Sequence, residues 1–241
     1  MKNEKGYVLY EGPSLLDGAP IVVIATMSTR NAKTGNMVQT WVMRSDIAPH
    51  DALKTGDDSS VCGDCVHRPV NQGSCYVTVF QAPLAIWKAY QRGAYSTDVA
   101  AFHRAIKGRK VRMGAYGDPA AAPTALWATI ARKAAGHTGY THQMAHSGFD
   151  AALLDVCMAS ADTREQAERY QAKGIRYFRV VRDVSDRIRG EVECLSDSAG
   201  MSCEECGLCD GSGRGKGKSI FIQAHGAKAS SYNPDLIAVA V

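Results

Sequence analysis

Six short apolar runs recur along the chain, PIVVIATM, CYVTVF, KVRMGAY, LLDVCMAS, IRYFRVV and KSIFIQAHG, with helix-like stretches between them. Runs of this length read as strands buried on both faces, and their alternation with helices is the pattern of parallel βαβ units. Parallel strands joined by crossover helices build either an open doubly wound sheet or an α/β barrel. The preferred expectation is an α/β fold with a complete or partial (β/α) barrel of about six units, in one domain over residues 1–241.

Local punctuation supports the helices. STDVAAFHRAIKG starts at Ser96 or Thr97 as N-cap and stops at Gly108. ADTREQAERYQAKG takes Asp162 as N-cap with Glu165 three residues on, and Gly174 closes it. A third helix over 120–135 ends at Gly136. Near the start, STRNAKTGNMVQTWVMR places the turn residues Thr34, Gly35 and Asn36 between two extended arms, a hairpin signal. That hairpin opens an N-terminal hairpin and cysteine loop over 27–75, and a second cysteine loop covers 194–218. After the first strand VIATMSTRNAKTG stands where G-x-G-x-x-G would, which sets a dinucleotide-binding domain aside.

A chain of 241 residues with 45% hydrophobic content can bury a sizeable core, and a net charge of +4 allows nucleic acid as a partner without requiring it. No apolar run approaches the length of a membrane helix, and MKNEKGYVLYEG lacks the apolar centre of a signal peptide. The expectation is a soluble cytoplasmic protein with no membrane partner.

Eight cysteines in such a setting point to metal rather than to disulfides, because most fall at ligand spacing. CGDCVHRPVNQGSCYV gives Cys62, Cys65 and Cys75; a CxxC turn brings two thiolates to one site and a third follows close behind. The second set is Cys203, Cys206 and Cys209, with Cys194 as fourth ligand. C-x2-C-x2-C is the leading part of a ferredoxin pattern, so the compact triple favours a 4Fe-4S cluster over zinc, although four thiols suit either. Three ligands leave a coordination position open and four close the site, which makes the first set the catalytic candidate and the second the auxiliary one. His67 could complete the first set. Cys157, inside LLDVCMAS, reads as a core thiol.

In a parallel α/β architecture chemistry gathers at the carboxyl ends of the strands. VRMGAYGDPAAAP offers Gly117 and Asp118 there, the latter either capping the next helix or holding a ligand amine. HTGYTHQMAHSG offers Thr141, His142 and Gln143; HQMAH has the spacing of a zincin pair, but Gln143 replaces the general base and a strand leads into it. Asp162 is explained by its capping role. Arg179 points either into a polar interior or outward, and His225 ends the last strand. SGRGKGKS lacks the leading glycine of a P-loop and precedes a strand rather than a helix, so Arg214, Lys216 and Lys218 are left as nonspecific phosphate contacts.

TGNMVQTW, CGDC with GSCYV, GAYGDPAAAP, TGYTHQ, FRVV and CEECGLCDG together resemble a family of uncharacterised phage and prophage proteins, over most of the chain. On that resemblance the cytoplasm is a host cell's. A more distant likeness is to radical S-adenosylmethionine enzymes, which are full or partial α/β barrels with a three-cysteine 4Fe-4S cluster near the first strand. That likeness implies Cys62, Cys65 and Cys75 as cluster ligands, and Gly117, Asp118 and Pro119 as the counterpart of a G-E-P-like motif that binds the methionine amine. The spacing differs from the C-x3-C-x2-C of those enzymes, and aspartate stands for glutamate. The expected function is an iron-sulfur protein of radical S-adenosylmethionine type. The alternatives are a zinc-stabilised phage protein that binds nucleic acid through Arg214, Lys216 and Lys218 without catalysis, and a zinc-containing base-exchange barrel acting on nucleic acid.

Overall fold

A computed structural model describes residues 4–213, 217–226 and 229–233. The chain opens with β1 (Gly6–Pro13), β2 (Pro20–Thr26) and β3 (Val38–Arg44), three antiparallel neighbours. There follow α1 (Pro49–Thr55), α2 (Ser59–Cys62), α3 (Ala82–Gln91), α4 (Val99–Ala105), β4 (Lys110–Tyr116), α5 (Thr124–Lys133), β5 (Gly136–Thr138) and β6 (Tyr140–Thr141). The second half continues with β7 (Met158–Ala161), α6 (Arg164–Ala172), β8 (Tyr177–Val181), β9 (Glu191–Glu193), α7 (Leu195–Ser198), α8 (Cys203–Cys206) and β10 (Ser219–Gln223).

The strands form two five-stranded sheets, in the orders β1-β2-β3-β4-β5 and β6-β7-β8-β10-β9. From β3 onward every ladder is parallel. Only Gly139 separates β5 from β6, so the chain steps from one sheet into the other there; the Met158 amide donates to its carbonyl at 2.8 Å. The mixed α/β class is as expected, but a barrel is not formed as a closed ladder: β1 and β9 are edge strands with no pairing between them among the described residues.

The main core lies between β1–β4 and the helices α4 and α5, where Ile21, Ile24, Phe102, Met113, Trp127 and Ile130 are fully buried. The apolar run of β2 is buried from Ile21 to Ala25 without alternation, as a strand covered on both faces must be. Cys157 sits in this core, also fully buried.

Several local expectations are corrected. CYVTVF is no strand: residues 74–78 have no ladder partner and run beside the cavity described below, with Tyr76 and Phe80 exposed. The hairpin arm pairing with β3 is β2 rather than residues 28–33, which instead carry a short 3-10 turn at Ala32–Thr34. The expected helix over 120–135 is split into a 3-10 turn at Pro119–Ala121 and α5, because Pro123 breaks the helical path between them. The cap of α4 is Asp98, whose side chain accepts from the Ala101 amide at 2.8 Å.

Candidate functional site

A cavity of about 260 Å³ opens where the parallel strands end, and both cysteine loops reach its wall. β4 contributes Arg112 and the turn to Asp118, β6 is followed by His142, and β7 by Asp162. Cys62, Cys65 and Cys75 line it from one loop and Cys194 and Cys203 from the other.

The first loop is held by a buried ion pair. Arg68 donates from Nη2 to Asp58 Oδ1 at 2.6 Å and from Nε to Asp58 Oδ2 at 3.1 Å, and it also binds the carbonyls of Gly63 and Gly56 at 3.0 and 2.8 Å. The loop is tied to the strand ends as well: the Asp118 amide donates to the Val61 carbonyl at 2.6 Å, and Gln143 Nε2 donates to the Cys62 carbonyl at 2.9 Å. Gly63 has φ 54°, and a Cβ there would overlap the Gln143 amide, so glycine is required at this crossing. Within the loop the Cys75 amide donates to His67 O at 2.9 Å. Burial pushes the Cys62 thiol well up, and Cys65 and Cys75 push it further.

At the end of β4, Gly117 takes φ 75° with Val42 packed where a Cβ would stand. Asp118 caps the following turn through Ala120 N at 2.9 Å and also accepts from His142 N at 2.7 Å. The capping role is thus observed, and the carboxylate is buried and faces the cavity with no ion-pair partner among the described residues. Burial pushes its carboxyl up, against the two amides that pull it down. Thr141 is buried and its hydroxyl accepts from the Gln143 amide at 3.2 Å.

The second set is organised by Arg176, which donates to the carbonyls of Leu208 and Gly211 at 2.6 and 2.9 Å and to Asp210 Oδ1 at 2.9 Å. Cys194 caps α7, and Cys203 and Cys206 bound α8, whose N-terminus carries a reciprocal Ser202–Glu205 capping box. Burial raises the Cys209 thiol to about 12, with Cys194, Cys203 and Cys206 adding to it and Tyr140 opposing. Between the sets lies Arg112, which donates to Tyr76 Oη at 2.8 Å and sits 5.6 Å from the centre of the Tyr140 ring.

A third group was not anticipated as such. His67 Nε2 and His142 Nε2 each lie 3.2 Å from Asp162 Oδ1, and the two rings meet edge to face at 5.7 Å. The sequence assigned Asp162 to the N-cap of α6, but Thr163 takes that role, accepting from Gln166 N at 3.1 Å, and frees the neighbouring carboxylate for the histidines. Burial pushes the Asp162 carboxyl up, yet His142 and His67 outweigh it and hold it well below its usual range. Burial pushes His142 down, but Cys65 and Asp162 together hold it well above. The signal that could have found Asp162 was its place directly after β7, beside two adjacent residues that can both cap a helix.

His146 does not share a face with His142; its ring reaches the Leu16 carbonyl at 3.1 Å. Arg179 points inward and forms a buried pair with Glu191 at 2.8 Å. His225 is at the cavity mouth, 3.0 Å from Lys33 Nζ. Of the basic run, Arg214 and Lys216 lie outside the described residues, and Lys218 is exposed.

No family model, curated protein or solved structure matches the chain. Its function has to be argued from the cavity. No helix among the described residues is long and apolar enough to cross a membrane.

Proposed function

We propose that this is an iron-sulfur protein of radical S-adenosylmethionine type on a split (β/α) barrel, with Cys62, Cys65 and Cys75 holding a 4Fe-4S cluster and Cys194, Cys203, Cys206 and Cys209 an auxiliary one. The observation that carries the reading is the single cavity, at the carboxyl ends of the parallel strands, onto which both cysteine loops open. By residue type the donor sets suit the groups, while among the described residues neither thiol set draws in to the mutual 4.8 Å spacing of a single-ion site. Three thiols leave one iron free to take a ligand, and four close a cluster.

When bound, the first cluster supplies the electron for cleaving a sulfonium carbon–sulfur bond. The chain's own residues do the rest. Asp118, buried beside the Cys62 thiol and in no salt bridge among the described residues, holds the ligand's ammonium, with His142 nearby. Gln143 ties the first loop to the strand ends and Arg68 braces the loop internally, so that the three thiols keep their positions as ligand enters.

Anaerobic purification tests the reading. Brown protein with stoichiometric iron and sulfide is expected, with Cys62→Ser and Cys206→Ser each losing one cluster's share. Colourless protein holding only zinc overturns it. In the same preparation, salt-sensitive binding to DNA or RNA that weakens on neutralising Lys218 would favour the nucleic-acid alternative.

A further inference from the structure

We infer that His67, His142 and Asp162 form a site for one divalent first-row transition metal ion, beside the first thiol set but with its own three donors. Cys65 of that set hydrogen-bonds His142 and so stands next to the site. The inference does not rest on the iron-sulfur reading. Among the described residues this is the trio of potential ligands whose donor atoms all lie within 4.8 Å of one another.

The spacing fits an ion. Metal–nitrogen and metal–oxygen bonds of about 2.0–2.1 Å put neighbouring ligand atoms about 2.9–3.4 Å apart in octahedral or tetrahedral geometry. Both Nε2–Oδ1 separations are 3.2 Å. The three residues come from separate segments, the first cysteine loop and the ends of β6 and β7, and all three face the cavity.

Of the five other histidines, His137, His146 and His225 each reach a backbone carbonyl, of Asp210, Leu16 and Gln223, and His50 meets the exposed Asp51 carboxylate of the next residue at 3.3 Å. His67 and His142 instead converge on one carboxylate oxygen. Outer contacts orient each ligand, as metal sites require. Ser74 Oγ lies 3.1 Å from His67 Nδ1, leaving Nε2 as the donor toward the cavity. The His142 amide is held by Asp118 and the Asp162 amide by Gln166 Oε1, at 2.7 and 2.8 Å. The His67 ring also stacks on Tyr232 at 6.2 Å.

Two imidazoles and one carboxylate suit zinc or ferrous iron, and three ligands leave positions open toward the cavity for water or a ligand oxygen. Thiol-only sets offer no such hard donor. The site thus gives the cavity a Lewis acid a single strand-end away from Asp118.

Cobalt(II) is the probe. The full chain is titrated anaerobically and followed by absorption and equilibrium dialysis, beside His67→Gln, Asp162→Asn and Ser74→Ala. One equivalent should bind without sulfur-to-cobalt charge-transfer absorption. His67→Gln and Asp162→Asn should lose that equivalent, and Ser74→Ala, which keeps all three ligands, should weaken it about 10- to 100-fold. Iron, sulfide and thiolate-to-cobalt bands should stay at wild-type levels in all three, which separates this site from the thiol sets. The inference is overturned if wild type takes up no thiol-independent cobalt, or if Ser74→Ala and the folded ligand variants bind it as wild type does.

Discussion

Removing Arg68 should both destabilise the protein and loosen the first cysteine loop. Its guanidinium makes two contacts to Asp58, whose side chain is 2% exposed, and one each to the carbonyls of Gly56 and Gly63. Arg68→Ala leaves the Asp58 charge buried without compensation, a change that typically costs about 3–5 kcal/mol. For a domain of this size that corresponds to a drop in Tm of about 6–20 °C, at about 2–4 °C per kcal/mol. The freed carbonyls of Gly56 and Gly63 act in the same direction. Arg68→Lys should recover only part of the loss, since an ammonium cannot span both carboxylate oxygens and two carbonyls. The double variant Arg68→Ala, Asp58→Ala should be more stable than the sum of the singles predicts, because the stranded charge is gone. Calorimetry on wild type, Arg68→Ala, Asp58→Ala and the double variant measures the coupling directly. If Arg68→Ala melts within about 2 °C of wild type, below the shift expected for even 1 kcal/mol, the ion pair does not anchor the loop and this account of its rigidity fails.

In the second sheet, Glu191→Leu strands the Arg179 guanidinium, 6% exposed, and the Ile188 amide, so chemical denaturation should show a loss of about 3–5 kcal/mol. Gly63→Ala drives a Cβ into the Gln143 amide at a positive φ; pairing it with Gln143→Ala should restore the part due to overlap and leave the part due to φ, which a thermal double-mutant cycle resolves. Cys157 is fully buried with its thiol pushed well up by that burial, so iodoacetamide should leave it unmodified at neutral pH in folded protein, and mass spectrometry should find it labelled only after denaturation. Arg112→Met should shift the reduction potential of the second group to more negative values in an EPR-monitored titration, because it removes the cation beside Cys203 and Cys209; an unchanged potential would mean that Arg112 answers to some other charge.

The strands most legible in the sequence were those carried by a dense apolar run. PIVVIATM and KSIFIQAHG contain strands buried continuously through their centres, whereas KVRMGAY and IRYFRVV contain strands whose burial alternates. CYVTVF has the same composition but no neighbour to pair with, and composition cannot report the absence of a neighbour. β1 was passed over because Tyr7 and Leu9 are buried while Glu11 is not, an edge-strand alternation broken by a bulge between Val8 and Tyr10. The cysteine loops were visible through spacing, since the cysteines of one loop are neighbours in sequence; their role as ligands belongs to the proposed function. The histidine–aspartate trio was not, because residues 67, 142 and 162 meet only after the parallel strands have placed their ends together.

Charge explains why the two thiol sets can share a cavity wall. On the proposed function, thiolates holding a metal group would bring negative charge into a site where burial already pushes Cys62 and Cys209 upward, and the fold would have to supply cations not neutralised elsewhere. On the first loop Arg68 is committed to Asp58, yet the thiols of Cys62 and Cys65 still act on it from close by. On the second side Lys110 Nζ donates to the Glu204 carbonyl in α8, and Arg112 lies between Tyr76 and Tyr140 with no carboxylate within ion-pair distance among the described residues. A guanidinium that bonds the Tyr76 hydroxyl, packs over the Tyr140 ring and has Cys203 and Cys209 close by is not spent on a structural ion pair. Its charge is available to an anion in the cavity, and on the chain's own side it is felt by Tyr76 and Tyr140 and then by Cys203 and Cys209 of the second set.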